Sequence, residues 1–423
     1  MAIGGFSKKS FSKGNLPKGF KVGGLRCGIS KKDGKKDLAL FLSEFPAAAA
    51  GTFTQNMAKA APVLVDIARL KRGGDFYGII ANSGCANACT GARGKKDALE
   101  MCISIEKSFG LPKDAVFAAS TGVIGQLLNM DKFHSGVKLL KSALGKSAKN
   151  EDDAVSAIMT TDTFIKKSSK TIRVKKGTVT IWGCVKGAGM IHPDLAGISK
   201  TPKIKKSASL HATMLSFILT DAKIDAKNLQ RTLEKAVNHS FNCVSVDGDT
   251  STNDTVILLA NGQSGAGKLD GENLKKFADA LDEVCIDLAK QIAKDGEGAT
   301  KFVEIEVKNA KNTSDAKNIA RAIATSPLFK TAIFGADANW GRVIAAAGRA
   351  GVSFNPDKID ITMGGIKTFK NGAPLKFSEA KAKQALLKKE VKIELNLKAG
   401  KASSKYYACD FSYDYVKING DYR

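Results

Sequence analysis

Thr213 stands between Ala212 and an almost unbroken apolar run in SLHATMLSFILTDA, residues 209–222, behind the basic stretch GISKTPKIKKSASL, residues 197–210. A threonine in that setting has two readings. Either a loop ends there and a buried element begins, or the chain is cut between Ala212 and Thr213, so that a new N-terminus carries a hydroxyl nucleophile beside its own amine. The histidines His134, His192, His211 and His239 fit neither a nucleophile elbow nor a metal pair. Acyl chemistry without a histidine base needs another base. A free α-amine, with a pKa of about 7.7 to 8.0, keeps a useful neutral fraction near pH 7 and can activate its own threonine hydroxyl.

Other segments carry polar groups in small-residue settings. ASTGVIG, residues 119–125, lacks the Gly-Lys-Ser/Thr ending of a phosphate loop. It is either an ordinary tight turn or a turn that presents backbone N–H groups and a hydroxyl to a developing oxyanion. KGAGM sets Lys186 beside glycines, where an ammonium can meet a carboxylate or simply be solvated. MTTDTF gathers Thr160, Thr161 and Thr163 around Asp162, as adaptable donors for a small polar substrate or as a structural turn. DGEGATK puts Glu297 on a glycine-flanked turn at a helix end, either as a carboxylate for a substrate ammonium or as part of a cap. VSVDGDTSTNDT, residues 244–255, lacks the bidentate glutamate of a calcium loop. Cys85 and Cys89 have no second pair and no nearby histidine to complete a zinc site, so no metal is expected.

The elements that must hold these residues alternate between strand and helix. DLALFLSEFP reads as a strand, and GIIANSGCANACTGARG as a strand entering a glycine- and asparagine-rich loop. Ile172 and Val174, then Val179 and Ile181 across Gly177, signal a hairpin. Leu274, Phe277, Leu281, Val284, Leu288 and Ile292 recur at steps of three and four and give a helix one apolar face, ended by KDGEG. Val303, Ile305 and Val307 alternate with charged residues, and Val391, Ile393, Leu395 and Leu397 do the same. Strands wet on one face with helices between them favour an α/β layered sandwich over an all-parallel doubly wound sheet. The basic stretch 197–210 is the one break in composition and divides the chain almost in half.

With 43% hydrophobic and 25% charged residues among 423, the chain has ample material for a core. Its net charge of +25 speaks to partners rather than fold. The lysines are spread along the whole chain and only 7% of residues are aromatic, which argues against a nucleic-acid surface. The N-terminal segment has no apolar h-region, no stretch approaches the roughly 18 apolar residues of a membrane span, and most of the cysteines sit in apolar or small-residue contexts. A cytoplasmic protein with buried free thiols is expected, with no membrane and no nucleic-acid partner.

Taken in order, NSGCANACTG, STGVIG, MTTDTF, KGAGMIHPDLA, HATMLSFILTDA, FNCVSVDGDTSTNDT, DGEGATK, IFGADANWGR and YDYVKINGDYR resemble the ornithine acetyltransferase family, the glutamate N-acetyltransferases of arginine biosynthesis. The resemblance runs from about residue 20 to the end of the chain. It implies an α/β sandwich related to the DmpA-type N-terminal-nucleophile hydrolases. It also implies self-cleavage between Ala212 and Thr213 into an α chain, residues 1–212, and a β chain, residues 213–423, assembling as α2β2. Thr213 is then the nucleophile, Thr121 and Gly122 match the oxyanion pair, and Thr160, Lys186, Thr213, Glu297 and Asn419 match substrate contacts. The implied reaction moves acetyl from N2-acetylornithine to glutamate through an acetyl-threonine ester. It needs no cofactor, although some members also take acetyl-CoA as a substrate.

Two departures stand out. The family usually runs HPNMATML without a break, whereas residues 195–210 here separate HPDLA from HATML and are read as an inserted basic surface loop. At the family's spacing after Lys186 the nucleophile's place would hold Gly197, and only Thr213 is followed by the MLxF…TDA pattern. Family members also commonly continue past the position of Arg423 with a threonine or serine that touches substrate. The competing readings are an amidohydrolase or aminopeptidase using the same threonine, and an unprocessed basic binding protein.

Overall fold

The computed structural model describes residues 16–198 and 214–421. These fall into two compact units, one of residues 16–198, 214–242 and 249–288, the other of residues 243–248 and 289–421. Each is a mixed α/β layer in which one sheet is covered by helices, so the α/β class expected from the sequence holds.

The first unit is built on a nine-stranded sheet. Its strands are β1 (Phe20–Leu25), β2 (Leu38–Thr54), β3 (Phe76–Asn82), β4 (Val116–Ser120), β5 (Lys166–Val174), β6 (Gly177–Lys186), β7 (Leu195–Gly197) and β8 (Leu215–Thr220), joined, after the short β9 (Val244–Ser245) of the other unit, by β10 (Thr255–Ala260). The main order is β4-β3-β2-β10-β8-β6-β5, with β1 and β7 pairing β2. Strand β2 explains why the sequence DLALFL carries no polar alternation. Ala39 and Phe41 enter a core with Trp182 and Phe217, under the helix Ala148–Ile158. Leu38, Leu40 and Leu42 point the opposite way, into a core with Met101 and Phe133 on the helices Gly91–Phe109 and Met130–Ala143. A two-residue period with both faces covered demands an unbroken apolar run. At Glu44–Pro46 the strand turns outward and its register to β3 shifts, which accommodates a proline that cannot donate to the ladder.

The hairpin expected around Gly177 is β5–β6, paired from Lys166↔Val185 to Val174↔Gly177. Strand β8 lies between β10, parallel to it, and β6, antiparallel to it, and all six of its residues are buried. Residues 195–197, the start of the segment 195–210 expected to be an inserted loop, are strand rather than loop. They form β7, paired with Thr52–Thr54 of β2, because Leu195 is buried and the Asn242 side chain bonds both its N–H and its carbonyl at 2.9 Å. Residues 199–213 lie outside the described residues.

The second unit holds a seven-stranded sheet, adding β11 (Phe302–Ala310), β12 (Asp360–Met363), β13 (Ile366–Lys370), β14 (Ala373–Pro374), β15 (Glu390–Asn396) and β16 (Ala402–Cys409), in the order β14-β13-β12-β15-β11-β16-β9. The expected alternation is plain in β11. Val303, Ile305 and Val307 pack into a core with Ile319, Ile323 and Val343 from the helices Thr313–Ala324 and Trp340–Gly348. On the other face Glu304 pairs with Lys290 and Lys405, and Glu306 with Lys392. The long helix Gly271–Lys294 buries Phe277, Leu281, Val284, Leu288 and Ile292 and is divided between the two units.

Candidate active site

Strand β4 ends at Ser120 and delivers Thr121 and Gly122 against the loop after β3. The Thr121 N–H donates to Asn82 O at 3.0 Å, and the Ser120 hydroxyl donates to Asn82 Oδ1 at 2.7 Å. Gly122 has φ +131°, and a Cβ there would lie 2.4 Å from the Gly84 carbonyl carbon. Only glycine fits that close approach in that conformation. Among the described residues the Gly122 N–H makes no hydrogen bond. A backbone donor left open beside a hydroxyl is what a developing oxyanion requires.

Lys186, the last residue of β6, is wholly buried, and its ammonium donates to Thr121 Oγ1 at 3.2 Å and to Thr160 Oγ1 at 2.8 Å. With the Thr121 oxygen accepting from Lys186, the Thr121 hydroxyl proton is free to point elsewhere. Asp162 fastens the Thr160 turn. It accepts from Thr160 N at 2.9 Å, from Gly187 N at 2.6 Å and from Lys166 Nζ at 2.7 Å. Burial opposes its ionisation, but the charges of Lys166 and Lys186 outweigh burial and hold the carboxyl well below the usual aspartate range.

The start of β8 is tied in by Asp254, a residue of VSVDGDTSTNDT to which the sequence assigns no catalytic role. Leu215 is opposite Lys186 on β6 and Thr255 on β10. The N–H of Met214 donates to Asp254 Oδ1 at 2.9 Å, while Asp254 Oδ2 is buried with no hydrogen-bond partner. Burial pushes this carboxyl up to about 7, against the pull of the Met214 N–H, of hydrogen bonds from Ser251 and of the Lys186 charge. The adjoining Asn253 donates its Nδ2 to Ala86 O at 2.7 Å and Ser120 O at 2.9 Å. Residues 253 and 254 therefore bind the β4 turn and the start of β8 to one segment. A run of small polar residues directly before an apolar strand was the signal available for them.

Thr121, Gly122, Thr160 and Lys186 are thus brought together in the first unit. Glu297 and Asn419 belong to the second, where they pair with each other. Asn419 Nδ2 donates to Glu297 Oε2 at 2.9 Å, and Glu297 Oε1 is buried without a partner. The turn carrying Glu297 is set close against the helix Tyr413–Gly420. A Cβ at Gly298, φ +69°, would lie 2.4 Å from Tyr415 N, and the Ser412 hydroxyl donates to Gly298 O at 2.5 Å. An acidic oxygen with an open valence suits an ammonium ligand. Ala212 and Thr213 lie outside the described residues.

The family model of ArgJ matches residues 21–423. The chain belongs to the ArgJ family. It is 45% identical over 410 residues to the arginine biosynthesis bifunctional protein ArgJ of Symbiobacterium thermophilum, covering 96% of this chain and 97% of that protein. Against the protein of the same name from Bacillus subtilis it is 43% identical over 409 residues, covering 96% and 95%. The solved structure of the arginine biosynthesis bifunctional protein argJ from Bacillus halodurans is 48% identical and covers 47% of this chain and 95% of its own, with a TM-score of 0.47. The ArgJ match takes in every segment of the site described above, including Asp254 and its neighbours. Among the described residues no helix is long and apolar enough to cross a membrane.

Proposed function

We propose that this ArgJ-family chain transfers the acetyl group of N2-acetyl-L-ornithine to L-glutamate. The chain cuts itself between Ala212 and Thr213, and the two pieces remain associated, as α2β2, in the cytoplasm. The Thr213 hydroxyl attacks the acetyl carbonyl carbon and passes its proton to the Thr213 α-amine. The Thr121 hydroxyl and the Gly122 N–H donate to the oxyanion. The C–N bond then breaks, ornithine's nitrogen takes the proton, and acetyl remains on Thr213 as an ester. The neutral amine of glutamate attacks that ester, N-acetylglutamate leaves, and Thr213 is restored. Acetyl passes between two similar amines, so no activated donor is needed, and acetyl-CoA is an alternative donor rather than a cofactor.

The observation that supports this reading best is the Lys186 ammonium bonded to both Thr121 and Thr160, which couples the oxyanion end of the site to a polar turn able to take substrate. Lys186 would meet the substrate α-carboxylate and Glu297, with Asn419, an ammonium. The test is to separate the purified protein under denaturing conditions, sequence the N-terminus of any smaller band, and supply N2-acetylornithine with and without glutamate. A band beginning Thr-Met-Leu-Ser-Phe, together with glutamate-dependent N-acetylglutamate, is expected. Acetate released at the same rate with or without glutamate would make the protein a hydrolase. A single uncut chain that still transfers acetyl would exclude an N-terminal nucleophile.

A further inference from the structure

Beside Thr160 lies a cavity of about 400 Å³, lined by Lys35, Lys36, Ser156, Met159, Thr160 and Asp162. Its charges do not balance. Lys36 is paired with Asp153, and Asp162 is committed to Lys166 and to the N–H groups of Thr160 and Gly187. Lys32 and Lys35 have no carboxylate within ion-pair reach among the described residues. Their ammonium groups lie together on one backbone carbonyl, Thr160 O, at 3.4 Å and 3.3 Å. Lys186 bonds the same residue through Thr160 Oγ1.

The charged groups that face Lys35 are Lys32 from its own loop, Lys186 from β6, and the carboxylates Asp37 and Asp162. Asp37 is already occupied by the N–H groups of Cys27 and Ser30 at 2.7 Å and 2.8 Å. Burial first, then the repulsion of Lys32 and Lys186, brings the Lys35 ammonium down to about 8. Cations crowded on a neutral carbonyl are a site for an anion, because an anionic oxygen would replace a weak acceptor with charge-assisted bonds.

We propose that this cavity is the subsite for the side-chain carboxylate of the incoming glutamate, with Lys35 and Lys32 as its ammonium partners. The inference rests on the acetyl-transfer reading and goes further into the same site. Donor and acceptor amino acids share an α-carboxylate and an α-nitrogen and differ at the far end, where ornithine is cationic and glutamate anionic. One pocket cannot favour both signs, and a carboxylate such as Glu297 would repel glutamate's far end. A second, cationic subsite separates the two. Lys186 spans Thr121 and Thr160, so the oxyanion donors and the cavity lie within one lysine head group of each other. Phosphates share this anion chemistry, and the donor acetyl-CoA carries them, so the test must separate the two.

The variants are Lys35→Met, which keeps the aliphatic stem and removes the charge, Lys32→Met, and Lys35→Arg. With each substrate varied in turn at saturating co-substrate, Lys35→Met should raise the KM for glutamate about ten-fold. It should move the KM for N2-acetylornithine by less than two-fold. Lys32→Met should do the same to a smaller degree, and Lys35→Arg should restore most of the glutamate affinity. Equal changes in both KM values, or none, would overturn the assignment. So would a rise confined to the KM for acetyl-CoA, which would make the cavity a phosphate site. Should Lys35→Met fail to fold, Lys32→Met and Lys35→Arg carry the same comparison. The wild-type exchange of acetyl between N2-acetylornithine and free ornithine, run without glutamate, keeps the two readings apart. Absence of that exchange defeats the acetyl-transfer reading, whereas exchange with a glutamate KM indifferent to Lys35 and Lys32 defeats only the subsite.

Discussion

Asp254→Asn should stabilise the protein at alkaline pH and change little at pH 4. The aspartate is 1% exposed, accepts the Met214 N–H at 2.9 Å through Oδ1, and leaves Oδ2 buried without a partner. Asparagine has nearly the same shape, and its Oδ1 can accept the same N–H. What it removes is the ability to ionise. Burial raises the aspartic acid from 3.8 to about 7. Below pH 3.8 the carboxyl is protonated in both folded and unfolded chains and contributes no pH dependence. Between 3.8 and 7 the unfolded chain releases its proton while the folded chain keeps it, so stability falls as pH rises. Above 7 both forms are ionised and the loss is complete. At about 1.4 kcal/mol for each pH unit, the difference between variant and parent should grow by at most about 4 kcal/mol from pH 4 to pH 9. The measurement is urea unfolding of Thr213→Ala and Thr213→Ala/Asp254→Asn across that range, a background chosen so that the proposed cut before Thr213 would be blocked in both chains. A stability difference that is the same at pH 4 and pH 9 would refute the reasoning, because it would mean that Asp254 titrates alike in the folded and unfolded chains.

Further outcomes follow from the same geometry. Gly122→Ala places a methyl 2.4 Å from the Gly84 backbone at φ +131°, and should cost about 1–3 kcal/mol of stability with a loss of acetyl transfer of about a hundred-fold; thermal melting and steady-state rates check both. Asp162→Asn removes a carboxylate that pairs with the buried Lys166 and should destabilise by about 3–5 kcal/mol in urea at pH 7. Because the Asp162 carboxyl is held low in the folded chain, its contribution is present above the ordinary aspartate range and should disappear as pH is brought down through and below it. Glu297→Gln keeps the bond from Asn419 and removes the open charge, so the KM for N2-acetylornithine should rise by about ten-fold while that for glutamate does not.

Much of the scaffold can be read from periodicity. The unbroken apolar run of β2, the alternation in β11 and β15, the hairpin across Gly177 and the apolar face of helix Gly271–Lys294 are local patterns, and local patterns report burial directly. The site is less legible because its contacts join distant residues. Nothing in VSVDGDTSTNDT announces that Asp254 will accept from Met214, 40 residues earlier, or that Asn253 will reach Ser120, 133 residues earlier. Lys35 lies 125 residues before the Thr160 carbonyl it meets, and in a chain this rich in lysine its type carries no signal. Strand β7 was hidden for a related reason. Three residues are too short for a period, and the contact that fixes them comes from Asn242 on a later segment.

The order of strands in the first unit bears on how the enzyme is made. A cut between Ala212 and Thr213 would assign β1 to β7 to one piece and β8 and β10 to the other. In the sheet, however, β10 and β8 are inserted between β2 and β6. Alone, the first piece would have a gap flanked by two raw strand edges, and the second would offer a short parallel ribbon with little to pair against. Exposed edges of that kind invite aggregation rather than complementation. With such a cut, the continuous polypeptide would have to fold into this sheet first and be severed afterwards. Halves synthesised from separate messages should fail to reconstitute it.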